Sequence, residues 1–315
     1  MSHVEEIDDA ELTNQIPDPE ATFDDKYTRA FDGESFWGYF GYGYLGWWTS
    51  TWNASLGYQE CSPTYRQHNG FIRQNDYRNV ITVIGYNQRP PSGLFETVNP
   101  HIRAHREWGF DGRENYRTLE LNLWTRLRAA QAGFYSQYVR TVENFGGVRF
   151  DNVWYAYQDA TLQLGDLIQL TADAEFGHKI ARRYGTMGEM LDLGLSAVLK
   201  LHERLSVQQW LDYARAGELE SGEELYDGHI YRTRINYQPS RPLAVRLVVQ
   251  YDDFQKQWSI DPLLTYRLNA FSVFYLGSTH SYGELEEERL DGRLVVSSRL
   301  TQRQFFAKLQ YLFQI

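Results

Sequence analysis

The stretch TQRQFFAKLQYLFQI, residues 301–315, alternates between apolar and polar side chains. Every second residue from Phe305 to Ile315 is apolar, and the residues between them are mostly polar. A period of two is that of an extended β-strand with one apolar face and one polar face. The stretch therefore predicts an amphipathic strand with aromatic side chains on its apolar face.

The same alternation recurs along the chain, and polar joints of two lengths separate the alternating segments. The clearest segments are 119–127, 191–201, 243–251 and 258–268. Short joints lie at 202–204, 238–242 and 268–270, and longer ones at 143–147, 180–188, 217–224 and 283–293. Short turns that alternate with longer loops are typical of up-and-down outer-membrane barrels, whose strands need about 10 residues to span a bilayer. The sequence thus predicts an all-β, antiparallel transmembrane β-barrel of about 14–16 strands.

The polar faces of these strands carry charges, among them Glu120, Arg234, Arg246, Asp261 and Arg267. Charges are costly in a dry core, so these positions predict either a water-filled interior or paired charges inside it. Closure of the sheet would also remove its two unpaired edges.

Composition narrows the class of protein further. The chain holds 23 Tyr, 17 Phe and 9 Trp, and side chains with an apolar body and a polar tip suit membrane interfaces. No apolar run reaches the roughly 18 residues of a membrane helix. The net charge of −10 argues against a nucleic-acid partner. The single Cys61 excludes an internal disulfide and a cysteine metal cluster, and no motif indicates a cofactor.

Two regions depart from the strand pattern. Residues 1–30 are acidic and without period, which predicts a flexible lead-in before a barrel domain at 31–315. An irregular segment at 62–78 interrupts the hairpins, and loops of that length are usually functional or folded inward. We therefore predict a lumen segment that includes Arg66, Arg73, Asp76 and Arg78, with its three arginines paired with carboxylates of the barrel wall. The alternative is an ordinary external loop with no role.

Residues 60–78, ECSPTYRQHNGFIRQNDYR, resemble a segment of the DUF5916 family. The matching positions are Ser62, Pro63, Arg66, Gly70, Phe71, Arg73, Asp76 and Arg78. Residues 250–277 and 303–313 are similar to the family's last hairpin and its final strand. The resemblance implies the C-terminal outer-membrane barrel of proteins that also carry an N-terminal, carbohydrate-binding-like family 9 domain.

The resemblance also implies partners and a location. It implies residence in the outer membrane of a Gram-negative-type bacterium, in contact with its lipid and with the barrel-assembly machinery. It implies polysaccharide only through the N-terminal domain, which this sequence lacks. The residues that follow Met1 lack the basic and apolar regions typical of a signal peptide. We expect the chain to be the C-terminal part of a longer protein, with its first barrel strands missing.

Outer-membrane barrels typically end in Phe or Trp, and assembly factors read that end of the chain. The corresponding assembly signal here comprises Tyr311, Phe313 and the less typical Ile315. We expect the terminal strand to pair with the first strand of the barrel.

The sequence offers no converging catalytic or metal-binding groups. His101 and His105 lie on one face of a predicted strand, about 13 Å apart at 3.3 Å per residue, which is too far for one ion. The carboxylates of Asp252, Asp253 and Asp261, and the acidic run 284–288, fit solvated charges better than an acid–base pair. We predict a non-enzymatic pore or membrane anchor.

A soluble all-β carbohydrate-binding protein is the alternative. Its aromatic-lined cleft would be formed by Trp37, Trp47, Trp48 and Trp52.

Overall fold

The computed structural model describes residues 1–24, 26–66, 74–269, 271–288 and 294–312. Most of these residues lie in β-strands. Helical structure in the described part of the chain is limited to α1, Ala10–Thr13, and a 3-10 turn at Ala129–Gln131. None of these helices is long and apolar enough to cross a bilayer.

Nineteen strands are present in the described residues. They are β1 (Ser2–Glu5), β2 (Thr22–Phe23), β3 (Tyr27–Thr28), β4 (Ser35–Gly38), β5 (Phe40–Trp48), β6 (Trp52–Cys61), β7 (Tyr77–Tyr86), β8 (Phe95–Trp108), β9 (Glu114–Leu127), β10 (Gly133–Phe145), β11 (Val148–Leu164), β12 (Ile168–Ala181), β13 (Thr186–His202), β14 (Leu205–Glu218), β15 (Glu224–Tyr237), β16 (Leu243–Asp252), β17 (Gln257–Asn269), β18 (Ser272–Glu288) and β19 (Leu294–Tyr311).

Strands β5 to β19 form one 15-stranded sheet in which each strand is hydrogen-bonded to the strands before and after it in the chain. The pairings are antiparallel, as between β12 and β13 or between β18 and β19. This up-and-down order confirms the predicted fold class and strand number. The predicted terminal strand lies in β19, which starts seven residues earlier than the alternation indicated, at Leu294.

Contacts divide the chain into two compact units. The first unit comprises Met1–Gln88, Val98–Leu123 and Gln137–Trp154. The second unit comprises Arg89–Thr97, Trp124–Ser136 and Tyr155–Ile315. Each unit has a small buried cluster: Phe36 packs against Phe23 and Tyr27 in the first unit, and Ala181, Met190 and Ala216 pack together in the second.

One face of the second unit is apolar and exposed. Leu193 and Leu195 of β13 are 39 % and 53 % exposed, and strand register carries the stripe through Leu211 to Tyr231, which is 45 % exposed. On β18 and β19 the same face carries Leu276 beside Ala307, and Phe305 is 71 % exposed. Apolar side chains thus lie outward in cross-strand rows rather than in a dry core.

The opposite face of the second unit is polar. Register places Asp173 of β12, Gly194 of β13 and Asp212 of β14 in one cross-strand row. A second row comprises Arg234, Val248 and Asp261, and two further arginines lie on the same face at positions 246 and 267. Four of the five charges that the sequence assigned to the interior, all except Glu120, therefore share the polar face of this unit.

Two of the longer predicted joints between strands are shorter than the sequence indicated. The predicted joint at 143–147 is a two-residue turn of Gly146 and Gly147, because β10 continues to Phe145 and β11 begins at Val148. The φ angles of the two glycines are 59° and 80°, which suits a tight hairpin turn that other residues adopt only with strain. Likewise only residues 182–185 separate β12 from β13.

Residues 1–30, predicted as a flexible lead-in, contain short elements. Strand β1 pairs with β4, and β2 pairs with β3. Helix α1 begins after Asp9, whose Oδ1 accepts hydrogen bonds from the backbone N–H groups of Glu11 and Leu12. No period marked these elements in the sequence because each is only two to four residues long.

Candidate functional site

The connection between β6 and β7, residues 62–76, interrupts the succession of short hairpin joints. Residues 62–66 and 74–76 of it are described, whereas Arg73 of the predicted lumen segment lies outside the described residues. Residues 62–64 are buried, with Ser62 only 3 % and Thr64 only 5 % exposed. An irregular segment buried to this extent needs partners for its backbone groups.

The N-terminal strands supply these partners. Tyr39 donates its backbone N–H to Ser62 Oγ at 2.9 Å, and Ser62 donates its own N–H to the Tyr39 carbonyl at 3.0 Å. The backbone N–H of Arg66 donates to Ser2 Oγ at 3.0 Å. Residues 62–66 are therefore held by both β1 and the chain that follows β4.

Gly38, the last residue of β4, allows this close approach. A Cβ atom at position 38 would lie 2.2 Å from the Tyr65 Cα atom and 2.5 Å from the Thr64 carbonyl oxygen. These are backbone atoms, which cannot rotate away from the added carbon. The position therefore requires glycine for steric reasons.

Arg66 is the centre of the region. Its Nη1 donates to the carbonyl oxygens of Pro63 at 2.8 Å and Tyr65 at 3.0 Å. Its guanidinium lies 4.9 Å from the ring centroid of Phe23 and 5.5 Å from that of Phe36. Burial lowers the pKa of Arg66 below its ordinary value, and the neighbouring Glu6 opposes that shift. Arg66 thus fixes the conformation of the segment through carbonyl groups and aromatic rings.

Glu6 lies beside Arg66 in a group of three carboxylates. Burial and the nearby Asp32 and Glu34 raise the pKa of Glu6. Ligand atoms of the three side chains lie within 4.8 Å of one another, a spacing that a cation could bridge. Asp32 and Glu34 instead accept hydrogen bonds from the hydroxyl and the backbone N–H of Thr28, and exposed acidic groups of this kind are ordinary without an ion.

A cavity of about 850 Å³ opens next to Arg66 in the first unit. Its lining is mostly polar and includes Glu6, Thr22, Asp24, Arg29, Asn75, Asp76, Phe110, Asp111 and Arg113. Two of the predicted lumen-segment residues, Arg66 and Asp76, therefore face one cavity.

Asp76 and Arg78 hold the neighbouring hairpin turn between β8 and β9. Asp76 accepts a hydrogen bond from the backbone N–H of Phe110 at 3.0 Å. Arg78 lies 3.9 Å above the Phe110 ring, and its Nε is 3.6 Å from Glu60 Oε2 on β6. Arg78 thus has a strand carboxylate as its partner, and the pair lies on the face of the sheet that also carries the exposed Leu56 and Ile84. The contacts of Arg66 are to carbonyl groups and rings.

The other candidate groups do not converge on a reactive centre. His105 of β8 contacts Tyr116, whose hydroxyl oxygen lies 2.9 Å from His105 Nδ1. His101 lies four residues before His105 on the same strand. Asp253 pairs with Lys256 at 2.6 Å, whereas Asp261 lies within β17. In the assembly signal, Tyr311 ends β19, and Phe313 and Ile315 lie outside the described residues.

The four tryptophans of the proposed saccharide cleft do not lie together on one surface. Trp47 and Trp48 are adjacent in β5 and therefore point to opposite faces of the sheet. Trp37 of β4 stacks on His3, with ring centroids 4.3 Å apart, and Trp52 packs against Tyr86 at 4.8 Å.

The chain matches no family model and no curated protein sequence. Among solved structures it is similar to a double mutant of the ferric enterobactin receptor PfeA from Pseudomonas aeruginosa, with a TM-score of 0.51 and 10 % identity over 83 % of this chain and 52 % of that chain. A single mutant of the same receptor in complex with enterobactin gives a TM-score of 0.50, 10 % identity and the same coverage of both chains, 83 % and 52 %. The siderophore receptor PirA from Acinetobacter baumannii gives 0.45 at 9 % identity, over 83 % of this chain and 53 % of that chain.

The chain spans about half the length of each of these receptors. At this identity the likeness shows the fold alone. The fold is that of the outer-membrane β-barrels, the class to which these receptors belong.

Proposed function

We propose that the protein is a non-enzymatic outer-membrane β-barrel that serves as a pore or as a membrane anchor. The observation that carries the proposal is the exposed apolar stripe of the sheet, which continues from strand to strand at positions such as Leu195, Leu276 and Phe305. Transmembrane barrels are characterised by an outward-facing apolar band that contacts lipid, and the stripe matches such a band.

Energetics support a lipid partner over water. Burial of one Leu or Phe side chain is worth about 1.5–3 kcal/mol, so a stripe of many such residues in water would be a large cost to a soluble protein. Strands β5 to β19 are 9–18 residues long, and a tilted strand crosses a bilayer in about 9–11 residues. Every strand of the sheet is therefore long enough to cross.

The polar face supports a water-filled interior. Asp173, Asp212 and Arg234 lie on it in cross-strand rows, and charged side chains of this kind are costly to bury away from water. In the proposed barrel this face lines the interior. The buried Ser62–Arg66 segment, which the N-terminal strands fix, is then positioned to narrow the interior.

The proposed identity extends to the DUF5916 family, on the strength of the motif in residues 60–78. It includes outer-membrane location, assembly by the barrel-assembly machinery, and polysaccharide as the ligand of an associated carbohydrate-binding domain.

Refolding into lipid vesicles tests the proposal. We expect the purified chain to require detergent or lipid, to migrate faster on gels when unheated than when boiled, and to protect its strands from protease in vesicles. Conductance across planar bilayers then separates the two roles: steps of current indicate a pore, and heat-modifiable insertion without current indicates an anchor. A chain that is soluble and monomeric without detergent would contradict the proposal.

A further inference from the structure

Three aromatic side chains form a row along β5. The ring centroids of Tyr42 and Tyr44 are 6.4 Å apart with an interplanar angle of 14°, and those of Tyr44 and Trp48 are 5.8 Å apart with an angle of 21°. The three residues are 66 %, 48 % and 61 % exposed. We call Tyr42, Tyr44 and Trp48 the aromatic row.

The aromatic row lies on the polar face of the first unit, where register places Tyr42 in one cross-strand row with Gln59, Asn79 and Glu107. The opposite face of these strands is apolar. On it Leu45 of β5 pairs with Leu56 of β6, and Ile84 of β7 pairs with Ile102 of β8. These four apolar residues are 45–72 % exposed. The row therefore lies on the face opposite these apolar residues, and the proposed function assigns that face to water.

Gly46 completes the row. A Cβ atom at position 46 would lie 1.8 Å from Trp48 Cη2, so the indole ring occupies the space that a side chain at 46 would fill. The three rings therefore occupy the side-chain positions of residues 42, 44 and 46, which are spaced by the two-residue repeat of the strand. By contrast, nothing lies within 4 Å of a Cβ atom built at Gly43, on the other face.

Neutral hydrogen-bonding groups lie directly beside the rings. Register places Gln59 opposite Tyr42, Ser55 opposite Gly46 and Asn53 opposite Trp48. On this face of β5, β6 and β7 all residues are uncharged. A ligand that these three strands hold therefore needs a flat apolar surface and many hydroxyl groups, without a net charge.

The row does not have the geometry of a membrane-interface belt. Interfacial aromatic residues lie at the two ends of the membrane-spanning strands and face outward. The aromatic row instead runs along the strand axis, over roughly 20 Å from Tyr42 to Trp48 at about 3.3 Å per residue, and it lies on the polar face.

We propose that the aromatic row binds a neutral oligosaccharide in an extended conformation. Each sugar ring has an apolar C–H face that can stack on an aromatic ring, and its hydroxyl rim can bond to Gln59, Ser55 and Asn53. The inference deepens the proposed function and rests on it, since the row must face water.

Isothermal titration calorimetry of the detergent-solubilised or lipid-inserted protein tests the proposal, with maltohexaose and cellohexaose as separate probes. We expect at least one hexasaccharide to bind, and Trp48→Ala to weaken it about tenfold, the order that one stacking platform contributes. Gly46→Ala should weaken it similarly, because the added methyl group displaces the Trp48 ring. Trp48→Phe should keep most of the affinity.

Two variants on the opposite face are matched controls. Trp47→Ala removes an indole that is 57 % exposed, and Gly43→Ala adds a methyl group to open space. Both should bind the hexasaccharide as the unmodified protein does.

Three results would overturn the proposal: no binding of either hexasaccharide by heat-modifiable, inserted protein; an equal loss in the Trp47→Ala control; or binding of catechol, a planar aromatic probe, without binding of saccharide. Failure of the proposed function is separate, because it appears as a loss of insertion and of heat-modifiable migration before any saccharide is added.

Discussion

Leu195→Arg places a charge in the middle of the apolar stripe. Leu195 is the tenth of 17 residues in β13 and is 53 % exposed. Its matched control is Thr171→Arg on β12. Thr171 pairs with Ser196, so it lies at the same height in the sheet but on the polar face, two residues from Asp173.

The two substitutions differ in cost only if the stripe contacts lipid. An arginine on the lipid-facing side near the bilayer midplane costs about 2–4 kcal/mol, or roughly a 30- to 1,000-fold change in the folding equilibrium. On the water-filled face the same residue should be tolerated, and Asp173 offers it a counter-charge. In a soluble protein, the exposed Leu195 would accept arginine within about 0.5 kcal/mol.

Reversible unfolding in lipid vesicles by guanidinium chloride measures both variants. We expect a loss of about 2–4 kcal/mol in the free energy of unfolding for Leu195→Arg and less than about 1 kcal/mol for Thr171→Arg. A near-neutral Leu195→Arg, or an equal loss at both positions, would refute the assignment of this face to lipid.

Three further predictions concern the segment around Arg66. Gly38→Ala should lower the free energy of unfolding by about 1–3 kcal/mol and expose residues 1–34 to protease, because the new Cβ meets the Tyr65 backbone; Gly43→Ala should do neither. Arg66→Met keeps contact with the two rings but loses both carbonyl hydrogen bonds, and should cost about 1–3 kcal/mol by the same unfolding measurement. The pKa of Glu6 is raised, so the stability that the protonated Glu6 contributes is fully present below the ordinary pKa of 4.5 and is lost as pH rises through the raised pKa. Glu6→Gln should therefore raise the free energy of unfolding at pH 7 and leave it unchanged at pH 4. An effect that does not depend on pH would contradict this prediction.

The strands were predictable because apolar and polar side chains alternate along them, as expected for a sheet with lipid on one face and water on the other. Around Leu193, Leu195 and Leu211 apolar side chains recur at every second position, and this period of two predicts both the strands and their faces. The joints were less predictable. Polar residues near strand ends, such as Thr186 and Glu218, continue the hydrogen-bonded ladder where the sequence indicated loops.

The region around Arg66 depends on contacts between distant parts of the chain, which no local pattern reveals. The motif identified Arg66 and Asp76, but the partners of Arg66 include Phe23 and the Ser2 hydroxyl, far from it in sequence. Gly38 gave no signal either, since its requirement for glycine comes from Tyr65. The aromatic row could have been noticed in the alternation of residues 40–48, where glycines separate the aromatic residues.

The central claim is that one face of the sheet contacts lipid and the other contacts water. Spin labels placed singly at positions 191–199 of β13, in a Cys61→Ser background and in lipid vesicles, measure it directly through their accessibility to oxygen and to a water-soluble nickel complex. We expect oxygen accessibility to peak at residues 191, 193, 195, 197 and 199, and nickel accessibility to peak at the even-numbered positions. Equal nickel accessibility at both sets of positions, or no period of two, would contradict the account.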